Sequence, residues 1–226
     1  PADNYIVYDL ITPLFTDYAF KNRLIYIPEG KKVEYQDRDV FDFPKGTIIV
    51  KTFYYPQNFN DIDSAIDLVE TRLLVHEQKG WKAYPYIWND LDSDAVLSVA
   101  GGIKRVSWKS NNEEKSIDYV VPNMNQCKGC HINDGIMKPI GPTARQLNKQ
   151  YDYGHIVENQ LLYWLHKGLI NSIPNQSEIP KIADWDDPDN FTLEKRARAW
   201  LDINCAHCHN SKGPAKTSGL FLDYYE

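Results

Sequence analysis

Every cysteine in the chain falls within two copies of one short pattern, Cys127-Lys-Gly-Cys130-His131 and Cys205-Ala-His-Cys208-His209. Two thiols three positions apart, followed at once by an imidazole, form the C-x-x-C-H sequence through which c-type haem is attached. The thiols reach the two vinyl groups of one porphyrin edge, and the adjacent histidine supplies the proximal ligand to iron. The expectation is two covalently bound c-type haems. Cys127, Cys130 and His131 would hold one, and Cys205, Cys208 and His209 the other. His131 and His209 are the metal ligands in this reading.

Other chemistry for the same residues explains less. Two disulfides would use all four cysteines but leave the histidine after each pair as a coincidence that happens twice. A structural zinc site commonly draws four ligands from two Cys pairs. Here the pairs lie 78 residues apart, and each brings its own histidine. A thioredoxin-like pair calls for a βαβ neighbourhood, which neither motif has.

A ligating imidazole donates its second N–H to a carbonyl or carboxylate. Gly141-Pro142, ten residues after His131, resembles the Gly-Pro loop of class I cytochromes c, where a proline carbonyl takes that hydrogen bond. The resemblance implies that Pro142 steadies the first haem's histidine; an ordinary turn is the competing reading. Distal ligands are harder to find. Met124 and Met137 lie close to the first motif on either side, too near to cross to the other haem face. His155 and His166 are candidates for the first iron, which is otherwise five-coordinate. His76 follows a strand and reads as a surface or core residue, and His207, inside the second motif, is expected to face solvent. Only 17 residues follow His209, and none is methionine. The second iron therefore lacks an evident sixth ligand, and the chain reads as a fragment of a longer protein.

The elements that must position these residues divide the chain of 226. Residues 1–122 read as a β-rich domain. Thr47–Tyr55, Val69–Val75, Trp81–Trp88, Ala95–Val99, Lys104–Trp108 and Ser116–Val121 are short β-branched and aromatic runs separated by turn residues. Such spacing suggests a sandwich, and Pro85 suggests an edge or a bulge. Residues 123–190 form the first haem module, with a helix over His155–Gly168. The stretch 171–190 reads as a long loop; its acidic run Asp184–Asp189 lacks the ligand spacing and glycine of an EF-hand. Residues 191–226 open the second module. Thr192 caps a helix that runs almost into Cys205, and Ala197, Trp200 and Leu201 are expected to cover one face of the second haem. The fold class is thus α+β, a β-sandwich-like domain followed by small α-helical, cytochrome c-like haem modules.

Composition removes other classes. A net charge of −6 with no basic stripe argues against nucleic acid. No apolar run approaches 18 residues, so no membrane span is expected. Haem c is attached outside the cytoplasm in bacteria, so the motifs imply a periplasmic or otherwise exported protein, with membrane tethering through a removed N-terminal segment left open.

Seven runs across the chain resemble a family of uncharacterised exported bacterial dihaem c-type cytochromes with an N-terminal β-rich domain. They are Pro13–Ala19, Phe43–Thr47, Glu70–Leu74, Tyr86–Asn89, Pro122–His131, Pro139–Asn148 and Arg196–His209. The resemblance implies electron transfer with a redox partner protein, and a continuation beyond the last residue that bears a methionine and a closing helix. Three functions stay in competition. The first is an electron carrier. The second is a haem enzyme with an open iron, similar to a dihaem peroxidase, with Glu158 and His166 as candidate acid–base groups. The third is a docking module that uses Trp81, Tyr84, Tyr86 and Trp88 to deliver electrons to an enzyme.

Overall fold

The computed structural model describes residues 5–61 and 63–225. The front of the chain is a six-stranded antiparallel meander in chain order: β1 (Tyr5–Val7), β2 (Phe20–Tyr26), β3 (Ile48–Pro56), β4 (Ile66–Glu77), β5 (Gly80–Trp88) and β6 (Ala95–Leu97). β7 (Gly102–Ser110) and β8 (Glu113–Val121) form a separate hairpin, joined to the sheet through a bridge between Asn58 and Lys109. The chain is therefore β-rich around a large antiparallel sheet. The second layer expected of a sandwich consists of this hairpin. Its Val106, Trp108, Tyr119 and Val121 pack against Phe53, Tyr55 and Val69 of the sheet.

Two irregularities follow from local chemistry. A register shift where Phe53 and Tyr54 of β3 face β4 lets the consecutive residues Val69 and Glu70 both be buried. Pro85 lies just past the end of β6, and its carbonyl accepts Ser98 N–H at 2.9 Å on that side. Its missing N–H therefore costs the β4 ladder nothing, and β5 is an edge at that residue.

After Val121 the chain turns to short helices and ribbons. α1 (Met124–His131) carries the first motif. Asn123 accepts Gln126 N–H and Gln126 reaches back to Asn123 N–H, both at 2.8 Å, a capping box that fixes where the motif begins. Then come the ribbon β9 (Ile132–Asn133) and β10 (Ile136–Met137), α2 (Ala144–Leu147), the ribbon β11 (Gln150–Asp152) and β12 (Val157–Asn159), α3 (Gln160–His166) and α4 (Leu193–Asn204). The helix expected over 155–168 is shorter than its apolar spacing suggests. Val157–Asn159 pairs with β11, and Asn159 caps α3 by accepting Leu161 N–H at 3.0 Å. Thr192 caps α4 as expected, accepting Lys195 N–H at 3.4 Å. The buried face of α4 is Ala199, Asp202 and Ile203, whereas Ala197 and Trp200 are exposed. The long loop at 171–190 is packed down by Ile179, Ile182 and Ala183. Among the described residues no helix is long and apolar enough to cross a membrane.

The strands give way to short helices and ribbons after Val121, but one core runs across that point. Tyr8, Ile25, Ile27, Ile49 and Leu74 of the front part pack with Ala144, Leu147, Leu161, Trp164 and Ile203. α4 is tied to α2 by a buried two-pronged ion pair: Arg145 donates Nε to Asp202 Oδ2 at 3.0 Å and an Nη to Oδ1 at 3.1 Å. Asp202 also accepts Tyr224 N–H at 2.9 Å. Removing one partner of a buried pair leaves an uncompensated charge, so Asp202→Ala should lower unfolding free energy by about 3 kcal/mol. Urea denaturation checks this, and replacing both partners with apolar residues should recover part of the loss.

Candidate cofactor site

The first motif opens onto a cavity of about 270 Å³ between α1 and the inner face of the sheet. Cys127, Cys130 and His131 all line it. Helical spacing brings the two thiols and the following imidazole to one side of a single turn. Ile49, Leu74, Ala83, Ile140 and Ile203 supply apolar wall. A second cavity of about 350 Å³ adjoins it and shares Cys130, His131, Pro139, Ile140, Ile203 and His207. The far wall of that second space is charged, with Arg38, Asp39, Arg145, Asp202 and Lys212.

His131 is held by its Nδ1, which lies 2.7 Å from the Lys138 carbonyl oxygen. A carbonyl only accepts, so Nδ1 carries the hydrogen and Nε2 is left as the lone-pair nitrogen. Burial pushes the imidazole down to about 4, with the nearby positive charge of Lys51 and Arg72 acting in the same direction. It is therefore neutral at ordinary pH, the form that ligates a metal. The anchoring carbonyl was expected from Pro142. The β9–β10 ribbon, which folds straight back after the motif, instead brings Lys138 against the ring. Pro142 gives its carbonyl to Phe41 N–H at 3.3 Å and so fastens a loop of the front part.

These residues fit a c-type haem on four counts. Two thiols and a fixed imidazole face one cavity, the imidazole nitrogen that can ligate is free, and the surroundings are largely apolar. The fourth is positive charge: Lys21, Arg23, Lys51 and Arg72 also line the cavity. Burial raises the Cys127 thiol pKa above its ordinary value, so the thiol is protonated near neutrality. All four cysteines are free thiols. Among the described residues no three His, Cys, Asp or Glu side chains come together to hold a bare metal ion.

The second motif is arranged differently. Cys205 ends α4, and a tight turn follows in which Cys208 and His209 donate their N–H groups to the Cys205 carbonyl at 3.1 and 2.9 Å. Cys205, Cys208 and His209 are half-buried and line neither cavity. Ser218 Oγ lies 3.4 Å from His209 Nδ1. The two thiols and His209 of the second motif thus lie on a turn, half-buried and outside the two cavities that the first motif lines.

The remaining histidines sort clearly. His207, expected in solvent, is half-buried in the wall common to both cavities. His155 and His166, candidates for the first iron, are exposed and line neither cavity; His166 pairs with Glu158 at 2.8 Å. His76 bonds the Phe43 carbonyl at 2.8 Å and stacks on Trp81 with ring centres 4.6 Å apart. Trp81 packs on the core, and Trp88 donates to Thr71 at 2.9 Å, as sheet residues do.

Comparison with protein-family models, curated proteins and solved structures finds no match for this chain.

Burial, with neighbouring guanidinium charge, lowers both Lys21 and Lys51 to about 7. Between that value and the ordinary lysine range of about 10, the unfolded chain binds more protons than the folded one. Stability therefore rises with pH across that window. Urea unfolding of the polypeptide prepared without cofactor should show this rise, and Lys51→Met should flatten it. A wild-type profile already flat from about pH 7 to about pH 10 would count against buried, unbalanced lysines.

Proposed function

We propose that this chain is a dihaem c-type cytochrome that carries electrons in the periplasm or outside the cell. The observation that carries the reading is the joint placement of Cys127, Cys130 and His131 on one cavity, with His131 Nδ1 committed to the Lys138 carbonyl. When bound, haem supplies a one-electron iron couple whose potential is set by axial ligands, burial and hydrogen bonds. The chain's own part is to tether, orient and shield. Thioether bonds from Cys127 and Cys130 remove the entropy cost of holding the cofactor. The Lys138 carbonyl fixes the ring that ligates iron. The apolar wall keeps water away, which limits reorganisation around a changing charge. Cys205, Cys208 and His209 provide the second attachment point.

In this reading the segments 123–190 and 191–226 are reduced, cytochrome c-like modules set against a β-rich front part. The close approach of the motifs supports transfer between two haems. Residues 130, 131 and 207, from the two motifs, line common walls. A redox partner protein is the proposed source and sink of electrons. The peroxidase-like alternative draws less support, because its candidate acid–base groups Glu158 and His166 pair with each other away from the cavities. The aromatic docking surface also draws less, since Trp81 belongs to the core and Trp88 to a cross-strand bond.

Expression in a host that matures c-type cytochromes tests the proposal. Intact mass should exceed the polypeptide by two haems, and a pyridine haemochrome spectrum should show thioether-linked haem. Cys127→Ser with Cys130→Ser should remove one haem, and Cys205→Ser with Cys208→Ser the other. A colourless product, or pigment stripped by acid acetone, would end the reading.

A further inference from the structure

The cavity floor carries a charge pattern that the sheet alone does not explain. Arg23 of β2 faces Lys51 of β3, and Lys51 faces Arg72 of β4, in direct cross-strand register. Like charges directly opposite one another destabilise a sheet. Here three stand in a row on the inner face, and Lys21, two residues before Arg23, joins them at the same cavity. The row separates the two apolar clusters of that face, Ile25, Ile49 and Leu74 on one side and Phe53, Tyr55 and Val69 on the other.

The carboxylates nearby are already committed. Asp9 receives Arg23 at 2.6 Å and Lys149 at 3.0 Å. Glu70 receives Arg72 Nε at 2.8 Å and the Tyr119 hydroxyl at 2.6 Å. Lys21 donates to the Ala19 carbonyl at 2.8 Å, and its Nζ stands 5.7 Å from the centre of the Phe53 ring. Lys51 has no hydrogen bond or carboxylate among the described residues, and its Nζ stands 5.0 Å from the centre of the Phe53 ring. The two carboxylates are thus taken up by Arg23, Lys149 and Arg72, and Lys21 and Lys51 have no ion pair among the described residues. A cavity occupant that brings two negative charges would balance them.

We infer that the row Arg23–Lys51–Arg72, with Lys21, binds the two carboxylates of the haem attached at Cys127 and Cys130. This rests on the haem reading above. It gives the front sheet a direct role at the cofactor: the sheet holds the acidic groups, while α1 holds sulfur and iron. The cations beside the porphyrin also favour the reduced state, which carries one positive charge fewer at iron.

The test uses the full chain, matured with haem, as wild type, Lys51→Met, Lys51→Arg and Lys21→Met. Haem content by pyridine haemochrome is read first, and a colourless wild type overturns both this inference and the haem reading. With haem present, redox titration should show the first haem's midpoint shifted downward in K51M and K21M and restored in K51R. Unchanged midpoints in all variants at wild-type haem content overturn this inference alone. K21M serves if K51M fails to mature, since the one hydrogen bond given for the Lys21 side chain among the described residues goes to a backbone carbonyl. A second arm separates haem carboxylates from a free anion. Inorganic phosphate should leave the melting temperature of the loaded wild type unchanged. Phosphate stabilisation that disappears in K21M or K51M would assign the row to a free anion and overturn the inference.

Discussion

A row of like charges on the inner face of the sheet, in which Arg23 and Arg72 have carboxylate partners and Lys51 has none among the described residues, is the constraint around which this fold is arranged. Arg23, Lys51 and Arg72 stand side by side across three strands, on the face that also builds the core. A sheet selected only for packing would put apolar residues there, as it does immediately above and below. The break in the apolar surface creates the cavity. It also means that the front strands cannot be treated as a separate support for something bound elsewhere. The shared core, with Ile49 and Leu74 packed alongside Leu161, Trp164 and Ile203, says the same in apolar terms.

Opposite the row, the first motif is fixed with little freedom. The Asn123–Gln126 capping box sets the start of α1, and the ribbon that follows returns the Lys138 carbonyl to His131. Those two local features decide which imidazole nitrogen faces the cavity. The second motif has the same residue types on a turn rather than a helix, with its thiols and His209 outside the two cavities that the first motif lines. Identical sequence patterns thus reach different surroundings because the segments after them differ.

Much of this was legible in the residues. The β-branched and aromatic runs marked β3, β4 and β5, and Thr192 marked the start of α4, because those signals are local. The strand β2 was not legible. Phe20-Lys-Asn-Arg-Leu-Ile-Tyr26 holds two of the cavity's cations and an asparagine, so its alternation is hidden by the very residues that line the site. Lys51 was equally silent, since a lysine within a strand ordinarily marks the solvent face. The resemblance to a class I Gly-Pro loop points to Pro142 as the carbonyl partner of His131, and the β9–β10 ribbon that brings Lys138 there instead has only two residues in each strand, too short to leave a pattern. His207 reads as solvent-facing because nothing in the sequence tells that the turn after α4 lines the same cavities as the end of α1. These are long-range facts of packing, and spacing along the chain does not encode them.

The central claim is that the cavity beside Cys127 and Cys130 is where iron sits, on the free nitrogen of His131. Anomalous diffraction at the iron absorption edge, from crystals of the matured protein, tests it most directly. The account predicts an iron peak inside that cavity, bonded to His131 Nε2, with Nδ1 still on the Lys138 carbonyl. Iron found only away from this cavity, or a His131 ring turned so that Nε2 meets the carbonyl instead, would contradict it.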